Sequence, residues 1–156
     1  MNSVIVKAAK TDKKSIMRFY KTQYYPASYI GQDHCYLVKK ENKIIASVVI
    51  SAGQKNTGYW LLHGLVIDKA HRGKGIASSL LQTAFSEKNN LGQQQFTKII
   101  CFAELTLKPF YLANHFINHN ESRDIAQLPI EFRQRLKRYQ EKQNAGTQNL
   151  KIKFIR

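Results

Sequence analysis

The run Leu65-Val66-Ile67-Asp68-Lys69-Ala70-His71-Arg72-Gly73-Lys74-Gly75-Ile76-Ala77 has residue types and spacing that suit an anion cradle. An apolar strand leads into a glycine-containing turn, and the turn opens an amphipathic helix. Gly73 and Gly75 leave out side chains where the backbone has to turn tightly. Consecutive amides that end at a helix N-terminus can then point at phosphate oxygens. Arg72 and Lys74 add positive charge, so a ligand carrying a pyrophosphate is the expected occupant. Two close glycines are a weak signal alone; the strand before them and the helix after them supply the weight.

A dinucleotide-binding fold also uses such a turn. Its signature is three spaced glycines after the first strand of a βαβ unit, with an acid at the end of the second strand. Here the turn follows several strands, the third glycine is missing, and the strand read over Phe96 to Ala103 holds no acid before Glu104. A nucleoside triphosphatase loop needs a Gly-Lys-Ser/Thr run, and the chain has none.

Several elements must position that turn. A strand begins at Val4-Ile5-Val6, and a helix capped by Asp12 runs through Tyr24 with Ile16, Phe19 and Tyr20 as its apolar face. His34 to Val38 and Ile44 to Ser51 read as a hairpin around the turn Lys40 to Lys43. Gly53 to Gly58 is loop, and Tyr59 to Ile67 is a nearly all-apolar central strand. A helix spans Ile76 to Lys88, a strand Phe96 to Ala103, and a short helix Leu107 to Ala113 with Pro109 in its first turn. Phe116 and Ile117 start another strand. Pro129 opens a basic helix over Ile130 to Gln143 with Phe132, Leu136 and Tyr139 on one face, and Leu150, Ile152 and Phe154 mark a half-buried terminal strand. The sum is an α/β domain over residues 1–156, with a basic helical insertion around 129–143.

The chain has 156 residues, 43% of them apolar, and a formal net charge of +15. That charge attracts polyanions in a salt-dependent way. The opening MNSVIVKAAK lacks a long apolar run before a small-residue cleavage site, and no stretch approaches a membrane span, so cytoplasmic residence is expected. Cys35 and Cys101 sit in apolar strand contexts and are expected as buried free thiols. Five scattered histidines with no Cys/His/Asp cluster argue against a metal.

The chain resembles the GNAT superfamily of N-acetyltransferases over roughly residues 4–117. The family motif Arg/Gln-x-x-Gly-x-Gly/Ala is matched by Arg72, Gly75 and Ala77. Its Leu-x-Val-x-Pro-like strand is matched by Leu65, Ile67 and Lys69, with lysine in place of proline. Its aromatic-tyrosine pair ahead of Gly-Phe is matched by Phe110-Tyr111 and His115-Phe116, with histidine in place of glycine.

The resemblance implies a mixed central sheet flanked by helices, with acetyl-CoA between two splayed parallel strands. Backbone groups of Leu65, Val66 and Ile67 would hold the pantetheine arm. Arg72, Gly73, Lys74, Gly75, Ile76 and Ala77 would take the pyrophosphate, and His71 would flank it or face solvent. The implied activity is transfer of acetyl to a primary amine by direct attack. Tyr111 would protonate the leaving thiolate, and His63 or Glu104 would act as base. Tyr24, Tyr25 and Tyr29 would line the acceptor site.

The acceptor itself is unspecified, whether small molecule, protein or peptide. Nucleic acid stays open through Arg135, Arg138 and Lys142 on one face of the basic helix, and a homodimer stays open too. A non-catalytic acyl-CoA-binding or nucleic-acid-associated protein on the same fold is the competing reading. Tyr111 and the intact turn weigh against a non-catalytic role.

Overall fold

The hairpin around Lys40 to Lys43 sets the register of the first half of the chain. Glu41 and Asn42 both take left-handed backbone angles (φ 53° and 63°), as a two-residue hairpin loop requires. They join β2 (His34–Lys40) to β3 (Lys43–Ala52), and β1 (Ser3–Lys7) pairs antiparallel with β2. This computed structural model describes residues 3–26, 33–53, 58–118, 126–144 and 151–155. Tyr29 and Leu150 lie outside the described residues, as do the side chains of Lys142, Ile152 and Phe154.

The remaining elements are α1 (Lys13–Thr22), β4 (Trp60–Ile67), α2 (Ile76–Phe85), β5 (Ile99–Glu104), α3 (Lys108–Ala113), β6 (Ile117–Asn118), α4 (Ile130–Asn144) and β7 (Lys151–Ile155). The sheet order is β1-β2-β3-β4-β5-β7-β6, with β4 and β5 parallel and the other pairs antiparallel.

Four local expectations shift. Asp12 is the N-cap residue of α1, as expected, but it makes no side-chain cap bond to the helix; its carboxylate accepts the Ala9 N–H (2.8 Å) and a bond from Lys39 Nζ (3.0 Å), closing a short 3-10 turn instead. α1 stops at Thr22, because Tyr24 turns left-handed (φ 56°) and the Tyr25 N–H folds back to the Tyr20 carbonyl (2.9 Å). α2 stops at Phe85, where the Ser86 hydroxyl donates to the Thr83 carbonyl (2.9 Å) and Lys88 bridges to Gln94. β5 starts at Ile99, not Phe96: Lys98 is left-handed (φ 48°), and Phe96 is buried edge-on against His34 and Tyr36.

The chain's contacts group into two compact units. One holds Met1–Ser51 with Leu62–Phe96; the other holds Ala52–Leu61 with Thr97–Arg156. In the first, Ile16, Phe19 and Tyr20 of α1 pack on Cys35, Leu37, Val49 and Val66. Strand alternation sends Tyr36 and Val38 of β2 to the opposite side. α2 packs on β2 and buries Leu80, Leu81, Ala84 and Phe85. In the second unit, Phe132 and Leu136 of α4 join Leu61, Ile100, Phe102 and Leu128, with Tyr59 and Tyr139 alongside. Burying each such side chain contributes about 1.5–3 kcal/mol. Cys35 and Cys101 are both buried, and neither is in a disulfide.

Candidate active site

The glycine turn has the shape its sequence requires. Gly73 and Gly75 have φ of 77° and 76°, where a side chain is strained. A Cβ at either position would meet nothing within 4 Å, so the turn opens on free space. Gly75 is the N-cap of α2, and the first helical bond runs from the Ser79 N–H to the Gly75 carbonyl (3.1 Å). The amides of Gly75, Ile76 and Ala77 therefore lie outside the helical ladder. Exposed Arg72 and Lys74 flank them. A pyrophosphate fits this donor set in charge, direction and room.

The turn is tied to the strand before it. Arg72 reaches back, its Nε donating to the Ile67 carbonyl (3.1 Å). The Asp68 N–H bonds the Ile45 carbonyl (2.7 Å), continuing β4 alongside β3. The Asp68 carboxylate takes Gln23 Nε2 (2.8 Å) and His71 Nδ1 (2.7 Å), and these bonds, His71 first, hold its pKa below the usual carboxylate range. His71, just before the turn, is partly exposed and braces Asp68. The Lys69 N–H donates to Gln23 Oε1 (3.3 Å), a bond that proline at this position could not make.

Within β4, Gly64 is left-handed (φ 62°), and the strand changes phase there. On β3, Ser47 and Val49 face α1, and Ser51 continues that parity. His63 Nε2 bonds Ser51 Oγ (2.7 Å), yet Val66, three residues on, packs with Val49 and α1. An odd spacing on one face means one extra residue, a bulge at Gly64. The Tyr20 hydroxyl sits 2.6 Å from the Gly64 carbonyl oxygen and 2.9 Å from Ser47 Oγ, which lies 3.4 Å from Cys35 Sγ. Burial pushes the Tyr20 phenol well above its ordinary range and the Cys35 thiol up to about 11.

Glu104 and Tyr111 belong to the second unit. Glu104 ends β5 opposite Lys151 and is partly exposed. Tyr111 is 4% exposed, its ring edge-on to Phe110 (5.1 Å) and Phe116 (5.2 Å). His115 takes the left-handed angle (φ 70°) that glycine adopts freely. The Phe116 N–H closes back on the Tyr111 carbonyl (3.0 Å), so the turn after Tyr111 keeps its form without glycine.

Sequence reasoning missed Gly64, Tyr20, Ser47, Ser51 and Gln23. One signal was present: an isolated glycine inside an apolar strand marks a bulge or a close backbone approach. Its partners carry no such mark. Among the described residues, no group of three or more His, Cys, Asp or Glu side chains could hold a metal ion, and no helix is long and apolar enough to cross a membrane.

Solved structures share this fold. N-acetylglutamate synthase from Neisseria gonorrhoeae, complexed with coenzyme A and N-acetyl-glutamate, aligns over 100% of this chain with a TM-score of 0.66 at 10% identity. This chain spans only 35% of that one. An acetyltransferase of the GNAT family from Streptococcus pneumoniae aligns over 99% of this chain and 98% of its own, with a TM-score of 0.65 at 12% identity. Diaminobutyrate acetyltransferase EctA from Paenibacillus lautus, in complex with L-2,4-diaminobutyric acid and coenzyme A, aligns over 99% and 93%, with a TM-score of 0.62 at 11% identity. A search of curated proteins found no match. The family model for the acetyltransferase (GNAT) domain matches residues 31–118, more than half the sequence and inclusive of the glycine turn and Tyr111; the chain belongs to the GNAT acetyltransferase family.

Proposed function

We propose that the chain transfers an acetyl group from acetyl-CoA to a primary amine by direct attack. The observation that carries this reading is the turn at Gly73 and Gly75, left-handed, open and seated at the N-terminus of α2. Acetyl-CoA supplies an acetyl carbon already activated as a thioester. The amides from Arg72 to Ala77 hold its pyrophosphate, with Arg72 and Lys74 adding charge. Backbone groups from Leu65 to Ile67 hold the pantetheine arm and orient the thioester.

His63 takes the proton that the attacking amine must lose, directly or through water. The Ser51 bond supports that role by fixing the imidazole ring at one nitrogen. Glu104 is the second candidate base, or the group that binds a cationic acceptor. As nitrogen bonds to the acetyl carbon and the carbon–sulfur bond breaks, Tyr111 gives its phenolic proton to the departing sulfur. The acceptor is an amine on a small molecule, peptide or protein. Cytoplasmic residence completes the reading, supported by Cys35 and Cys101 being buried outside any disulfide.

A thiol-release screen with acetyl-CoA against amines and peptides tests the activity. With an acceptor in hand, Tyr111→Phe is expected to slow turnover by about 100-fold or more while acetyl-CoA affinity holds. Equal turnover would return Tyr111 to packing between Phe110 and Phe116.

A further inference from the structure

Given acetyl transfer as proposed above, we infer that Tyr20 is a positioning residue: by holding the Gly64 carbonyl, its hydroxyl aims the Leu65 amide at the thioester.

The chemistry of the buried cluster fixes which group donates. The Gly64 carbonyl can only accept, and a phenol has one proton, so Tyr20 donates it across 2.6 Å to Gly64. Ser47, at 2.9 Å, then donates to the Tyr20 oxygen, and the Cys35 thiol at 3.4 Å is left to donate to Ser47. Cys35, Ser47, Tyr20 and Gly64 form one directed chain that ends on the backbone of β4. Tyr20 is 1% exposed and Ser47 0%, so water does not compete for these bonds.

The Gly64 carbonyl and the Leu65 N–H share one rigid peptide plane and point in opposite directions. Fixing the carbonyl toward α1 therefore fixes the Leu65 N–H away from it. Gly64 cannot hold that plane itself. It has no side chain to pack, and both halves of φ space are open to it. Without the hydroxyl, the buried carbonyl has lost its donor, and rotation of the peptide toward another donor becomes favourable. The same rotation swings the Leu65 N–H, and it moves the backbone that carries His63. The glycine turn, by contrast, is braced by Gln23, Asp68 and Arg72, none of which touches Tyr20 in this chain of bonds.

Calorimetric titration of the full chain with acetyl-CoA and with free CoA separates the two effects. Both ligands carry the pantetheine arm, and only acetyl-CoA carries the thioester carbonyl at which the Leu65 N–H is aimed. Tyr20→Phe keeps the ring and removes the oxygen; it is expected to weaken acetyl-CoA by about fivefold and leave CoA within about twofold. Ser47→Ala, which removes Tyr20's other partner but spares the Gly64 bond, is expected to lower the melting temperature without changing the ratio of the two affinities. Tyr20→Phe weakening both ligands equally, or neither, overturns the positioning role while leaving acetyl transfer standing. A wild-type chain that binds neither ligand removes the transfer reading, and this role with it.

Discussion

The hydroxyl of Tyr20 and the carbonyl of Gly64 meet at 2.6 Å, and a Cβ added to residue 64 would stand 2.9 Å from that same hydroxyl. Gly64→Ala therefore combines two penalties, a left-handed alanine and a clash inside a filled core. Gly75→Ala carries only the first, because its Cβ would point into open space. Urea unfolding is expected to show a loss of about 1 kcal/mol for Gly75→Ala and about 3 kcal/mol for Gly64→Ala. Equal losses would mean that Tyr20 yields freely and does not grip the strand.

Two buried tyrosines make a controlled pair. Tyr20 has its hydroxyl bonded, whereas the Tyr36 hydroxyl is buried with no partner among the described residues. Tyr36→Phe keeps the ring that stands edge-on to Phe96 and discards an unsatisfied group. It is expected to gain about 1 kcal/mol, and Tyr20→Phe to lose about as much. Thermal melts of the two variants check the opposite signs.

Acid should weaken the fold in two steps. Burial, with Lys7 nearby, lowers the His34 pKa, so the unfolded chain binds this proton more readily. Stability from a neutral His34 is complete above the unfolded value near ~6.5 and is lost as pH falls through the lower folded value. Asp68, held down by His71 and Gln23, and Asp12, held down by the Ala9 N–H and Lys39, behave alike at lower pH. Their contributions are complete above about 4 and disappear as pH falls through their depressed folded values. Denaturation midpoints from pH 7 to pH 3 are expected to show both steps. His34→Gln should erase only the first.

Two helices end on residues that strain the backbone. Tyr24 after α1 and His115 after α3 both sit where glycine is usual, with φ of 56° and 70°. Tyr24 is 95% exposed and His115 is exposed, so neither recovers that strain by burial. Tyr24→Gly and His115→Gly are each expected to stabilise by about 0.5 kcal/mol, the relief of strain less the extra freedom of glycine when unfolded. His115→Val should destabilise. A stabilising His115→Val would show that the turn after Tyr111 is not held left-handed.

What could be read from residues alone followed the range of the forces involved. The strand, turn and helix from Leu65 to Ala77 were legible because local pattern specifies all three: an apolar run, two glycines and helical spacing. The hairpin at Glu41 and Asn42 was legible for the same reason. Element ends were less so, since Tyr24 and Lys98 terminate their elements in a conformation that neither residue type advertises. The bond at Gly64 was hidden because its donor, the Tyr20 hydroxyl, lies 44 positions away along the chain. The bond between His71 and Asp68 was hidden for a related reason: the two are near in sequence, but only the fold turns their side chains together.

In the proposed complex, the backbone between Ile67 and Ala77 grips the pyrophosphate of acetyl-CoA. Titration of acetyl-CoA into the wild-type chain and into Gly75→Leu tests it most directly, with a circular dichroism spectrum to confirm that the variant is folded. The expected result is saturable wild-type binding that weakens by about tenfold or more in the variant, a change of ~1.4 kcal/mol. Equal affinity in the two folded proteins would mean that the turn does not hold the pyrophosphate.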